Sequence, residues 1–367
     1  LLTAVSDVPR RMLAAVYTGQ QQVEVQEVPT PEIGPGELLV RVEACGICHT
    51  DLKKIEYDLL AGPRIYGHET AGVVVGAVGS VRASVTRFVP GDRVVAFHHI
   101  PCSQCFYCAR KLYAQCPVYK RVGITAGFEP AGGGFAQYIR IMDWIVERGV
   151  EKIPDGVSFA AASLVEPLNT CLKAVVQSGV RTGDVVVVLG QGPIGLKFTM
   201  LLKHSGATVI ATDLSASRRA LSLEFGADAA IDPRTVDLAG LAREKSAGRG
   251  ADFVFVAVSA PGIVEQAVRA TRPGARIVLF AQTSDKERIE LAGADICKDE
   301  RMLSGSYSAD VDLQRESANL IFSGQLPVER LISHRVALAG FQGGMALALR
   351  PDDSSLKILV EPQKGIS

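Results

Sequence analysis

The stretch Val185-Val186-Val187-Val188-Leu189-Gly190-Gln191-Gly192-Pro193-Ile194-Gly195, with Ala207-Thr208-Val209-Ile210-Ala211-Thr212-Asp213 after it, decides the fold. A continuous apolar run bounded by glycine reads as a strand buried on both faces, and the six residues that follow fit G-x-G-x-x-G at a strand-to-helix turn. Gly190 serves the tight turn, Gly192 lets the backbone approach a pyrophosphate, and Gly195 lets the next helix pack close to the strand. The turn through Pro193 and Ile194 then opens a helix whose N-terminal N–H groups face the phosphates. An apolar helical run follows (Leu196, Phe198, Met200, Leu201, Leu202), so the glycines have the context of a dinucleotide site. Asp213 ends the second strand, where a carboxylate accepts hydrogen bonds from a ribose 2′-hydroxyl and repels a 2′-phosphate, favouring NAD over NADP. Arg218 and Arg219 follow closely and are read either as a solvated helical turn, as an adenine-stacking arginine, or as acceptors of a phosphate.

From Phe159 onward helical patterns alternate with apolar strands at 185–189, 208–212, 253–258 and 276–280, which implies a doubly wound parallel sheet. Upstream, residues 12–95 carry short apolar runs such as Leu38-Leu39-Val40-Arg41-Val42 punctuated by Gly and Pro, the pattern of a compact β barrel. After about Met302 the alternation is lost. The C-terminal part, with Leu326-Pro327, His334 and a helix-like stretch at 340–349, is expected to return to the first domain. The expected division is 12–160 for a β-barrel-like catalytic domain, 161–302 for a nucleotide-binding domain, and 303–367 for the return.

Lysine plus arginine and aspartate plus glutamate each number 39 in 367 residues, so no overall basic field recruits nucleic acid or an anionic membrane. No apolar run approaches the length of a membrane span, and Leu1 to Arg11 lacks a secretory core and reads as an unstructured extension. The cytoplasm is the expected location. Eight cysteines in such a chain argue for metal ligation rather than a disulfide framework. Cys102, Cys105, Cys108 and Cys116, in a lobe at about 98–120, form C-x2-C-x2-C-x7-C, which suits a closed tetrahedral zinc site and could also hold an iron–sulfur centre.

A second constellation is more dispersed. Gly46-Ile47-Cys48-His49-Thr50-Asp51 and Gly67-His68-Glu69 offer a thiolate, an imidazole and a carboxylate, all suitable zinc ligands; Glu166, in Leu164-Val165-Glu166-Pro167-Leu168, adds a further acid at the domain junction. Each also has an ordinary reading, as a small core cysteine, a satisfied buried histidine or solvated acids.

With these pieces in place the chain resembles the zinc-containing medium-chain dehydrogenase/reductase family from Met12 on, and within it the branch of sorbitol (polyol), threonine and butanediol dehydrogenases. The resemblance implies a Rossmann domain and a GroES-like β-barrel catalytic domain, NAD, one catalytic and one structural zinc, and hydride transfer from an alcohol carbon to a nicotinamide. It makes Cys48, not Cys45, the catalytic ligand, with His68 and with Glu69 or Glu166. Asp51 matches the acid that orients the histidine. Thr50 matches the position that passes the proton outward, and as a residue type also fits a helix N-cap. Lys53 stands where alcohol dehydrogenases have the histidine at the relay's end, so His49 or water is the alternative. Tyr307 matches a substrate-pocket tyrosine of sorbitol dehydrogenases, but Ser306 replaces the arginine before it, so a simpler secondary alcohol or a hydroxy acid such as threonine stays open beside a polyol. A homodimer or homotetramer is implied. Cys171 and Cys297 are expected to be packed thiols, and His98, His99, His204 and His334 have no assigned role.

Zinc-free quinone or enoyl reductases share the two-domain plan but need neither Cys48 with His68 nor the four-cysteine lobe. A non-enzymatic module touching nucleic acid would use Arg110, Lys111, Lys120 and Arg121, which look more like a solvated charged loop.

Overall fold

Short runs rich in valine and isoleucine become strands wherever glycine or proline interrupts them, and the computed structural model describes residues 2–4, 8–79, 87–119, 132–281 and 288–365. Lys120 and Arg121 of the basic footprint lie outside these. The N-terminal strands are β1 (Leu2–Ala4), β2 (Arg11–Gly19), β3 (Gln22–Pro29) and β4 (Leu38–Gly46), followed by helix α1 (His49–Glu56) and by β5 (Arg64–Ile65), β6 (Glu69–Val78) and β7 (Arg93–Ala96). Then come β8 (Tyr138–Ile141), α2 (Asp143–Arg148), β9 (Val150–Lys152), α3 (Phe159–Ser163) and α4 (Val165–Ser178). The alternating region holds β10 (Val185–Leu189), α5 (Pro193–His204), β11 (Thr208–Thr212), α6 (Ala216–Glu224), β12 (Ala229–Ile231), α7 (Leu238–Lys245), β13 (Ala251–Val256), α8 (Ile263–Ala270), β14 (Thr271–Leu279), α9 (Gly293–Cys297) and β15 (Met302–Gly305). The chain closes with α10 (Gln314–Phe322), β16 (Ile332–Val336), α11 (Phe341–Leu349) and β17 (Lys357–Val360).

The chain divides into two units, one of residues Leu1–Asn169 with Ala309–Ser367 and one of Thr170–Ser308. In the first, an eight-stranded sheet runs β16-β17-β4-β6-β7-β9, with β1 added on β6 and β8 on β4, and a small sheet β3-β2-β5 accompanies it. The C-terminal strand β17 pairs antiparallel with β4, bringing Val360 opposite Cys45. Leu2–Ala4 was expected to be unstructured, but it pairs with 76–78 of β6, because the free edge of a strand offers unpaired N–H and C=O groups that any short extended segment can meet.

In the second unit the order β12-β11-β10-β13-β14-β15 is parallel throughout, with β10 at the point where the order reverses. All five residues of β10 are buried, which is why the strand is a continuous apolar run rather than an alternating one. Phe198 of α5 packs on Phe255 and Phe280 at 4.9 and 5.0 Å between ring centroids, anchoring the helix to the sheet. Gly190 turns the chain with φ of +89°, and a Cβ on Gly195 would lie 1.8 Å from the Gly190 carbonyl oxygen. Both positions therefore require glycine. Among the described residues no helix is long and apolar enough to cross a membrane.

Candidate active site

The end of β4 delivers Cys48 to the first turn of α1, where it is the N-cap and its Sγ accepts the Thr50 N–H at 3.5 Å. Thr50 sits inside the helix and is not its cap, which corrects that expectation. Cys45, three residues earlier, faces the other way: it is buried against Thr70 Oγ1 at 3.7 Å, and burial pushes its thiol pKa up, so it stays protonated. Cys48 is the thiol of this pair that remains open to an ion.

Asp51 follows in the same helical turn, fully buried, and His68 precedes β6 with its Nδ1 3.0 and 2.9 Å from the two Asp51 oxygens. Donation of the Nδ1 proton to Asp51 leaves the Nε2 lone pair for a metal. Burial opposes a charged ring, yet the Asp51 carboxylate holds the His68 pKa well above its ordinary value, so positive charge is favoured at this place. Asp51→Asn is expected to weaken zinc binding at this set by about 10- to 100-fold, read by chelator competition; unchanged affinity would show that the acid only packs there.

Register brings Glu69 opposite Gly46, where a Cβ would lie 2.0 Å from Glu69 Oε2. Glu69 is buried beside Lys357, whose Nζ is 2.5 Å from both carboxylate oxygens and also donates to Ile47 O at 2.9 Å. Burial opposes the ammonium, but the Glu69 and Cys48 charges keep the Lys357 pKa raised. One donor atom each from Cys48, His68 and Glu69 lies within 4.8 Å of the others. A thiolate, an imidazole and a carboxylate at this spacing fit zinc with a coordination position left for substrate.

Glu166, in the first turn of α4, is buried too, and burial pushes its carboxyl up to about 7. Its carboxylate lies with His98 and His99, and the His68, Glu69 and Lys357 charges of the Cys48 set act on it as well. Sequence reasoning assigned those two histidines nothing, and Lys357 was likewise missed. The signal for Lys357 was a lone cation inside the apolar run Leu356 to Val360, since a lysine in a buried strand needs a partner.

In the lobe all four cysteines converge. The Cys102–Cys108 and Cys105–Cys108 sulfur separations are 3.9 and 3.5 Å, against about 3.8 Å for thiolates placed tetrahedrally around one zinc. A cluster spreads its four thiolates over two or four irons and would hold some of them further apart than the 4.8 Å within which all four sulfurs lie, so the geometry fits a single ion. A backbone N–H of Gln104 helps draw the Cys102 pKa down to about 6, while burial pushes Cys108 up to about 12.

On the second unit, Gly192 caps α5 and Pro193 opens it, leaving the helix N-terminus next to the glycine turn. Asp213 receives the Gln191 N–H at 2.6 Å and the Ser215 N–H at 2.9 Å, which fixes its carboxylate at the end of β11. Arg219 turns back to the Asp213 and Leu214 carbonyls, and Arg218 is half-buried on α6. Tyr307 is 41% exposed, and its carbonyl receives Lys173 Nζ at 2.8 Å. Cys171 is buried as expected; Cys297 is exposed, a correction that follows from its place at the end of the five-residue α9, which buries none of its residues.

Comparison with known proteins agrees with this geometry. Residues 34–155 match the alcohol dehydrogenase GroES-like domain family, and residues 193–323 match the zinc-binding dehydrogenase family. The chain is 29% identical over 363 residues to sorbitol dehydrogenase of Bacillus subtilis, covering 97% of this chain and 99% of that one. It is 31% identical over 336 residues to D-altritol 5-dehydrogenase of Agrobacterium fabrum, covering 89% and 93%. Among solved structures, alcohol dehydrogenase TADH from Thermus sp. ATN1 superposes with a TM-score of 0.83 at 28% identity, over 95% of this chain and 99% of the other.

Proposed function

This chain belongs to the zinc-containing medium-chain dehydrogenase/reductase family, and on that premise we propose that Cys48, His68 and Glu69 hold the catalytic zinc of a dehydrogenase acting on a polyol or secondary alcohol with NAD. The observation that carries the reading is the convergence of those three donors with Asp51 behind the imidazole. When bound, zinc supplies Lewis acidity toward the substrate hydroxyl, and NAD accepts the hydride. Asp51 keeps His68 in the tautomer that presents Nε2. Lys357 holds Glu69 in place and offsets its buried charge. Thr50, two residues from Cys48 in α1, is the group we assign to passing the hydroxyl proton outward, with His49 or water beyond it. The four lobe cysteines hold the structural zinc, and Gly190 to Gly195 with Asp213 and Arg218 hold the dinucleotide. Tyr307 is assigned to the substrate. Thiol-rich ligand sets suit a reducing compartment, which supports the cytoplasm, and the family resemblance supports a homodimer or homotetramer.

The test is reduction of NAD and, separately, NADP against polyols, secondary diols, simple alcohols and hydroxy acids, with and without a strong chelator. Chelator-sensitive turnover with NAD supports the reading, and the best substrate decides between a polyol and a simpler alcohol, a choice left open by Ser306. Turnover that survives complete metal removal overturns it. Asp213→Asn in the same assay is expected to lower selectivity for NAD over NADP by about 10- to 100-fold, the worth of a hydrogen bond to a charged acceptor. Unaltered selectivity would move the ribose contact elsewhere.

A further inference from the structure

A second carboxylate stands beside Asp213. Leu189, Thr212 and Ile231 are in register across the parallel strands β10, β11 and β12. The next residues on the three strands are Gly190, Asp213 and Asp232, and the backbone keeps them in step: Gly190 N donates to Thr212 O at 2.9 Å and Asp213 N to Ile231 O at 3.2 Å. Neighbouring strands lie about 4.8 Å apart, so the two acids stand side by side at the strand ends that also carry the glycine turn.

Like charges that close repel, and two arginines answer them. Asp232 takes Arg234 in a forked pair, with Nε at 2.9 Å and Nη2 at 2.6 Å. Arg219 Nη1 lies 3.6 Å from Asp232 Oδ2, and the same nitrogen donates to the Asp213 and Leu214 carbonyls at 2.8 and 2.9 Å. One guanidinium thus bridges both strand ends. The Arg234 pair holds the Asp232 carboxyl well below the usual carboxylate range, so it stays charged at every working pH.

The groups around these acids are those a ribose 2′-phosphate would use. Helix α6 starts here, capped by Ser215, and the Ser215 and Ser217 hydroxyls are 2.8 Å apart. A helix start, two hydroxyls and two guanidiniums all favour a phosphate. Both guanidiniums are instead engaged by Asp232.

We propose that Asp232 is a second determinant of dinucleotide choice, which withholds Arg219 and Arg234 from a 2′-phosphate and repels that dianion. The proposal rests on the reading of Asp213 as the acceptor of the ribose 2′-hydroxyl. Asp213 then supplies attraction for NAD, and Asp232 supplies repulsion of NADP. A single carboxylate suffices to accept a ribose hydroxyl; the second explains why arginines stand at this place without admitting a phosphate. Asp232 Oδ1 also accepts Arg234 N at 3.0 Å, which closes the turn after β12. A turn role alone would make its loss lower stability and leave selectivity as it was.

The experiment measures NADH and NADPH dissociation constants by nicotinamide fluorescence on the full chain, at low and high salt, with a thermal melt of each variant. Asp232→Asn keeps an acceptor oxygen for the turn and removes the charge. It is expected to lower the NADH-over-NADPH affinity ratio by about tenfold through tighter NADPH, and to make NADPH binding more sensitive to salt as the arginines meet the phosphate. Asp232→Glu, which keeps the charge, is expected to hold the ratio close to that of wild type. Competition by 2′,5′-ADP should strengthen in Asp232→Asn while competition by ADP does not, which assigns the gain to the 2′-position. A ratio unaltered in Asp232→Asn, with or without a lower melting temperature, overturns the proposal, and so does a ratio altered only through weaker NADH. Failure of the Asp213 reading appears separately, as undiminished NADH affinity in Asp213→Asn.

Discussion

Cys48→Ala is expected to lower kcat/KM for alcohol oxidation by about 10³-fold or more and to leave NADH binding within about twofold. Loss of the thiolate removes one of three protein donors, and Lewis-acid stabilisation at such a centre is worth several kcal/mol; about 4 kcal/mol corresponds to about 10³ in rate. The dinucleotide contacts assigned to Gly190 through Asp213 lie in the other unit and have no part in that loss. His68→Ala is expected to match it, because two ligands of one ion act as a unit. Cys45→Ala supplies the contrast: its sulfur is buried and protonated, so the change removes packing and leaves zinc content untouched. Kinetics, zinc per chain and NADH fluorescence on the three variants distinguish a metal centre from a buried cluster. Full turnover in zinc-depleted Cys48→Ala would sink the assignment.

The contrast between Cys48 and Cys45 also marks what a sequence can reveal. The G-I-C spacing and the resemblance it carried pointed to Cys48, but the reason Cys45 is excluded, its burial against Thr70, is a fact of β4 and β6 pairing. Strand β10 was legible because it is buried on both faces and so reads as an unbroken apolar run. Strands β12 and β15 were not, since they lie at the sheet edges, are short, and keep partly exposed residues with no periodic signal. The same limit applies to the site. Lys357 reaches Glu69 across 288 residues of sequence through the pairing of β17 with β4, and His98-His99 has no ligand spacing of its own, standing directly before the lobe that draws attention first. Contacts made by local spacing could be read; contacts made by register could not.

Cys108→Ser is expected to release the zinc proposed for the lobe and to lower the thermal transition by about 10 °C. The lobe is not an appendage in this fold. Cys108, Cys116 and Tyr113 belong to the main hydrophobic core of the first unit, Tyr113 OH donates to Asp312 Oδ2 at 2.8 Å, and Tyr119 OH donates to Ala309 O at 2.9 Å. Freed of its ion, the lobe therefore loosens core packing and the start of the C-terminal return together. Structural zinc contributes about 10–16 kcal/mol in isolated finger peptides; if only about 4 kcal/mol of that is felt here, at about 2–4 °C for each kcal/mol, the shift is about 10 °C. Serine is a poor substitute because a hydroxyl does not supply the thiolate that zinc prefers. Calorimetry with metal analysis checks both parts: zinc falls by one equivalent, the Cys48-dependent equivalent stays, and proteolysis is newly favoured within the lobe. A Cys108→Ser protein that melts with wild type while lacking that zinc would show that the aromatic and Asp312 contacts alone hold the lobe. The ion would then serve some purpose other than stability.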